Sequence, residues 1–229
     1  MESILIVDEV YKKVIDEQRE FDILRNISFT LNSGDFAAVY GPSGSGKTTL
    51  LSICGGLQEP TSGDIILENT NLYKQSKEDL MEFRHKHIGF VHQYLHFFPH
   101  LNTIQSIISP LLPQKLSQQD IMDRAKSTLS QVNLENLEEQ DPYQLSNEEK
   151  KRIAIARAII TNPTLLLIDE PTGNVDSNTG NEIMNLLASL NQNGQTTLVF
   201  THDPEILRYA NRIFEIKNRT VLEMFKNWY

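Results

Sequence analysis

Gly41-Pro42-Ser43-Gly44-Ser45-Gly46-Lys47-Thr48 has the spacing GxxxxGK[ST], and the fold follows from reading it. It comes after the apolar run Phe36 to Tyr40 and opens a second apolar segment, Leu50, Leu51 and Ile53, so strand, loop and helix are expected in that order. Glycines let successive backbone N–H groups curl around a polyphosphate, and the helix start adds the positive end of its dipole. Lys47 is placed to reach the β/γ-phosphates and Thr48 to ligate Mg2+, with Thr49 completing the binding set.

Outward from this loop, Leu165-Leu166-Leu167-Ile168-Asp169-Glu170 reads as a buried strand ending in two acids, with Asp169 suited to Mg2+ and Glu170 to polarising an attacking water. Phe36 to Tyr40, Leu165 to Ile168 and Thr197 to Phe200 lack alternation, which is how strands of a parallel sheet covered on both faces read. Ile27, Phe29 and Leu31 alternate before the turn Asn32-Ser33-Gly34. Asp64 to Glu68 and Ile213 to Lys217 are similar, predicting a sheet-rich N-terminal portion and a C-terminal return. Ser76 to Thr161 carries helical patterns broken at Pro99, Pro110, Pro113 and Pro142, and is expected to form an inserted helical lobe. Ile183, Leu186, Leu187 and Leu190 share one helical face, and Asn193-Gly194 closes that helix.

Composition sets the outer bounds. With 229 residues, 39% of them hydrophobic, the chain can bury a sizeable core and is expected to be one unit with subdomains. Its net charge of −9 argues against nucleic acid as a partner, because general phosphate attraction needs a basic excess. The longest aliphatic run, Leu165 to Ile168, is far short of the roughly 18 residues that cross a bilayer. Met1-Glu2-Ser3 does not resemble a secretory signal, and the single cysteine, Cys54, permits no internal disulfide, so a reducing cytoplasm is expected.

These motifs together resemble the ATP-binding subunit of an ABC transporter, over about Tyr11 to Met224. The resemblance implies an α/β fold: a phosphate-loop core, an antiparallel β subdomain and an inserted helical subdomain at about 76–161, within a single domain spanning 1–229. It implies an ATPase that binds ATP and Mg2+ and works as a dimer with a second ATP-binding subunit. That dimer would power a separate transmembrane permease from the inner face of the cell membrane. Gln93, in Phe90-Val91-His92-Gln93, resembles the glutamine that contacts Mg2+ and water at the hinge to the helical lobe. Asp176, in Gly173-Asn174-Val175-Asp176, resembles a dimer-interface aspartate, and His202, in Thr201-His202-Asp203, a γ-phosphate contact. Tyr11 resembles the aromatic that stacks on adenine, although the stretch from Tyr11 to Leu24 is longer than the family's.

Gly55-Gly56-Leu57, Pro60-Thr61-Ser62-Gly63 and the Gly173 to Asp176 phrase are most similar to the branch of lipoprotein-release, macrolide-export, antimicrobial-peptide-resistance and cell-division ATPases. The apolar group Tyr94, Leu95, Phe97, Phe98 and Leu101 is read either as a groove for a permease helix or as ordinary core.

One segment departs from the family. Its LSGGQ or LSGGE signature reads here Leu145-Ser146-Asn147-Glu148-Glu149, without either glycine. In the family, this segment presents amides, Ser146 at this position, to the γ-phosphate held by the opposite subunit. Here Ser146 and Glu149 form the S-x-x-E capping-box pattern, and Glu148 adds a carboxylate near the anion. Two like charges about 4 Å apart at an effective dielectric near 20 repel by about 4 kcal/mol. The following Lys150-Lys151-Arg152 reads as a solvated basic face of a helix. Two alternatives stay open: a subunit of little own activity in a heterodimer or as a regulator, and a soluble ABC-type ATPase of DNA repair or translation.

Overall fold

The computed structural model describes residues 3–16 and 19–224; Met1, Glu2 and residues 17–18 and 225–229 lie outside the described residues. The first half runs β1 (Ser3–Asp16), β2 (Arg19–Asn32), β3 (Phe36–Tyr40), α1 (Lys47–Cys54), β4 (Ser62–Leu67), β5 (Thr70–Asn71), α2 (Lys77–His87) and β6 (Ile88–Val91). There follow α3 (Thr103–Ile108), α4 (Gln118–Gln131), α5 (Asn147–Ile159), β7 (Leu165–Asp169), α6 (Ser177–Gln192), β8 (Thr196–Thr201), β9 (Arg212–Lys217) and β10 (Thr220–Met224).

Two sheets result. The core sheet has the order β10-β9-β3-β8-β7-β6 and is parallel except for the β9–β10 hairpin. The second, β2-β1-β4-β5, is antiparallel. The unbroken apolar runs of the core strands follow from burial on both faces. Leu166 and Ile168 of β7 point into a cluster with Ala38 of β3 and with residues of α3 to α6, whereas Leu165 and Leu167 point into another shared with α1 and the antiparallel sheet. Because successive strand side chains alternate, each face needs its own apolar set. Leu167 is completely buried, so Leu167→Ala is expected to cost about 2–5 kcal/mol, read as a lower urea midpoint with unchanged slope.

The expected helical span 76–161 needs one correction. It contains β6, which pairs in parallel with β7 inside the core sheet. Four residues are too few to display a strand period, and α2 runs into them without a turn. The inserted helices therefore lie between β6 and β7. They are held to the core by α5, of which Ile153, Ala154, Ile155 and Ala156 are all buried. The extra length between Tyr11 and Leu24 is a hairpin arm, with β1 and β2 paired as far as Asp16 and Arg19.

The apolar group after Gln93 divides. Phe97 is core at 7% exposure, its carbonyl accepting from the Tyr143 hydroxyl at 2.8 Å, while Tyr94 and Phe98 stand 69% and 64% exposed.

Candidate active site

The phosphate loop leaves β3 at Gly41 and enters α1 at Lys47. Gly44 and Gly46 have φ of 76° and 101°, the left-handed region in which only glycine is unstrained. A Cβ on Gly46 would also stand 2.9 Å from the Leu24 side chain, so this glycine is required twice over. The Lys47 ammonium folds back into the loop, donating to the carbonyls of Gly41 at 2.7 Å and Pro42 at 3.0 Å and standing 4.0 Å from the Glu170 carboxylate. Burial lowers its pKa, against the opposing charges of Glu170 and Asp169.

The ends of β7 and β8 bring the acids to the loop. Thr48 donates its hydroxyl to Asp169 at 3.3 Å. Burial, then the neighbouring charge of Glu170, raises the Asp169 pKa, while Thr48 and Lys47 pull it down. Glu170 is held on both oxygens: Oε1 lies 2.8 Å from His202 Nδ1, and Oε2 accepts from the Thr201 hydroxyl at 3.1 Å and the His202 amide at 3.4 Å. Its backbone has φ of 49°, an uncommon conformation for a residue with a Cβ, and its N–H donates to Phe200 of β8 at 2.9 Å. Pro42, Ser43, Gly44, Ser45, Gly46, Lys47, Thr48 and Thr49 thus line one cavity of about 840 Å³ together with Gln93, Glu170 and His202.

The fit to a nucleotide can be judged from the loop itself. Ser45 Oγ is buried with no hydrogen-bond partner among the described residues, an arrangement costing about 1–3 kcal/mol that a phosphate oxygen would relieve. Thr48, Asp169 and Gln93 offer oxygen donors, the set a hard divalent cation takes. Among the described residues no group of three or more His, Cys, Asp or Glu side chains converges as a metal cage.

Residues 24–173 match the family described as ABC transporter. This chain belongs to that family. It is an ABC ATP-binding subunit, an ATP-hydrolysing chain that powers a membrane component of a transporter. It is 38% identical over 211 residues to the lipoprotein-releasing system ATP-binding protein LolD of Buchnera aphidicola subsp. Acyrthosiphon pisum (strain APS), covering 92% of each chain. Among solved structures, the dimeric, post-hydrolysis ATP-binding cassette MJ0796 bound to ADP and Pi is 33% identical, with a TM-score of 0.89 over 99% of this chain and 100% of that one. CbiO1 of Clostridium perfringens, part of the ABC transporter complex cbiONQ, is 29% identical, with a TM-score of 0.87 over 97% of this chain and 88% of that one.

Three expected site residues of this ABC subunit stand away from the phosphate cavity. Tyr11 lies on β1 opposite Ser62 of β4, beyond an irregularity in the pairing, and is not among the residues lining the cavity. The wall there comes from Asp22 and Ile23 of β2 and from Lys217, Asn218 and Arg219 at the β9–β10 turn. No local motif announces these five, because only the pairing of distant strands assembles them. Asp176 caps α6, accepting from the amides of Asn178 and Thr179 at 3.0 and 3.2 Å. Ser146 caps α5, more than a helix away in sequence from the loop.

The signature segment forms a closed capping box. The Ser146 hydroxyl accepts from the Glu149 amide at 3.2 Å, while the Ser146 N–H and O–H both donate to Glu149 Oε2, at 2.8 and 2.7 Å. These bonds hold the Glu149 carboxyl below its usual pKa range. Two expectations are corrected here. Glu148 turns along α5 to the Arg152 guanidinium at 2.7 Å, so its charge is compensated within the chain. Nor is the basic triplet a solvated face. Arg152, 9% exposed, also bonds the Val132 carbonyl at 3.1 Å and Glu182 at 3.4 Å; Lys151 is 6% exposed. The charge run misled because it opens a helix that sits between the helical segment and the core.

Proposed function

We propose that this ABC subunit hydrolyses Mg·ATP in the cavity of the phosphate loop, with Glu170 as the group that holds and polarises the attacking water. The observation that carries the reading is Glu170 itself, fixed on both carboxylate oxygens by His202 and Thr201 at the edge of the cavity that the phosphate loop lines. A carboxylate held in this way loses little freedom when it takes a proton from water. Lys47 has three N–H donors, two of them engaged by loop carbonyls, which leaves one for a phosphate oxygen. Its charge offsets negative charge on the transferred phosphoryl group, and the His202 ring lines the same cavity. Thr48, Asp169 and Gln93 are the residues that would hold Mg2+, which supplies charge neutralisation of the phosphates when bound.

The membrane partner and cargo are inferred from the relatives. Similarity to a lipoprotein-releasing system supports lipid-modified protein as the class of cargo. No helix among the described residues is long and apolar enough to cross a membrane. The subunit is accordingly proposed to sit on the cytoplasmic face of the membrane, with exposed Tyr94 and Phe98 toward the permease. ATP hydrolysis by the purified chain, with and without its co-purified membrane partner, tests this. Stimulation of about tenfold by the partner is expected, and activity that co-purifies with nucleic acid and ignores membranes would refute it.

A second reading concerns the dimer. The closed capping box leaves Ser146 without a spare donor for a neighbour's nucleotide, which favours pairing with a different ATP-binding subunit whose signature carries its glycines.

A further inference from the structure

The Lys151 ammonium is buried and has no carboxylate within ion-pair distance among the described residues. Its partners are main-chain carbonyls: Pro171 at 2.7 Å and Glu170 at 3.3 Å. Burying an ammonium on neutral acceptors alone is costly, and burial lowers its pKa to about 8. An apolar side chain of similar length would pack the same space without that cost. The two carbonyls belong to the turn that leaves β7, where the core-sheet ladder has ended. The Glu170 carbonyl also accepts from Gly173 at 3.0 Å, and the Glu170 N–H reaches back to Phe200. The left-handed backbone of Glu170 is therefore tied from three sides: β8, the turn itself and, through Lys151, helix α5.

We propose that Lys151 is a positioning residue for hydrolysis: it ties α5 to the carbonyls of Glu170 and Pro171 and thereby keeps the Glu170 carboxylate against His202 and Thr201. The inference rests on the reading of Glu170 as the water-holding group. It also gives the altered signature a physical link to the catalytic turn of the same chain, since Lys151 lies one helical turn beyond the Ser146 cap. Without the donors, the turn keeps its strained φ with one fewer restraint, and small displacements of a general base lower the rate steeply.

The test compares the unaltered chain with Lys151→Met, which keeps the stem and removes the donors, and Lys151→Gln, which restores donors without charge. Lys151→Met is expected to bind ATP within about twofold of the unaltered chain and to keep its KM, while kcat falls about tenfold or more. Lys151→Gln is expected to recover part of that loss. The second readout is independent of turnover: the NMR ring resonances of His202 in the nucleotide-free chain, assigned by their disappearance in His202→Ala. They are expected to shift in Lys151→Met and to move back in Lys151→Gln. An unchanged kcat, a KM that rises in step with the loss of kcat, or unmoved His202 resonances in Lys151→Met would overturn the proposal. Should Lys151→Met fail to show a folded melting transition, Lys151→Ala, whose shorter side chain admits water to the two carbonyls, is judged by the same criteria. Failure of the unaltered chain to hydrolyse ATP with its partner would count against the proposed function, while the His202 resonances would still decide the role of Lys151.

Discussion

Glu170→Gln is expected to lower steady-state ATP turnover by about 10²–10⁴-fold while leaving ATP affinity nearly unchanged. The amide is isosteric with the carboxylate and can still meet the Thr201 hydroxyl and the His202 ring, so the cavity wall should survive. What disappears is the basicity that polarises water. It is also expected to weaken the attraction that helps hold the Lys47 ammonium, which stands 4.0 Å from Glu170 Oε1. That ammonium keeps its two loop carbonyls, so the phosphate loop retains its shape and nucleotide binding persists. A nucleotide titration beside a phosphate-release assay separates the two quantities. Persistent turnover at more than a tenth of the unaltered rate would remove Glu170 from the role assigned to it.

The second large effect is expected at the start of α5, in the double substitution Asn147→Gly with Glu148→Gly. Two side chains then vanish from the first turn of α5, and backbone N–H groups at a helix start become reachable by an anion from a facing subunit. One well-placed backbone donor is worth 10²–10³ in rate at developing negative charge, so recovering part of such a contact should raise turnover about tenfold. Electrostatic relief contributes less than the sequence suggested, because Glu148 is already neutralised by Arg152. The cost is local. Arg152 keeps Val132 and Glu182 as partners, and each glycine weakens the helix by up to about 1 kcal/mol. ATP-driven dimerisation measured in the Glu170→Gln background reads the contact without hydrolysis. If neither dimerisation nor turnover changes, the altered tip does not limit this ATPase, and the case for a different partner subunit loses its support.

Much of the fold was legible because its signals are local. Phe36 to Tyr40 forms β3 as expected, and Leu165 to Ile168 and Thr197 to Phe200 lie within β7 and β8. A strand covered on both faces needs an uninterrupted apolar run, and such a run is visible without any partner. The helix of Ile183, Leu186, Leu187 and Leu190 was equally plain, since its apolar face repeats over about two turns before the Asn193-Gly194 stop. Where the signal was short, the reading failed: β6 spans four residues joined directly to α2 and was absorbed into a helical lobe. In the hairpin arm, the paired residues Val14 and Phe21 gave no strand signal because both are exposed, so their apolar character marks no buried face.

The glycines, Lys47 and Thr48 of the phosphate loop and the acids Asp169 and Glu170 are candidates from residue types and spacing alone, because a phosphate loop is a local strand-turn-helix pattern, and the fold brings the acids to it. Tertiary structure alone decided which charges are spent internally. Whether a lysine or a glutamate at the start of α5 faces water, a nucleotide or a carbonyl depends on which distant segment packs against that turn. Lys151 meets Glu170 and Pro171 from about twenty residues away, and Arg152, the neighbour of Glu148 one turn along α5, is buried by its contacts with Val132 and Glu182. A charge pattern in one dimension records how many charges a helix carries. Their effect on the energy is set by burial and by the nearest opposite dipole, both of which come into being only when the chain closes on itself.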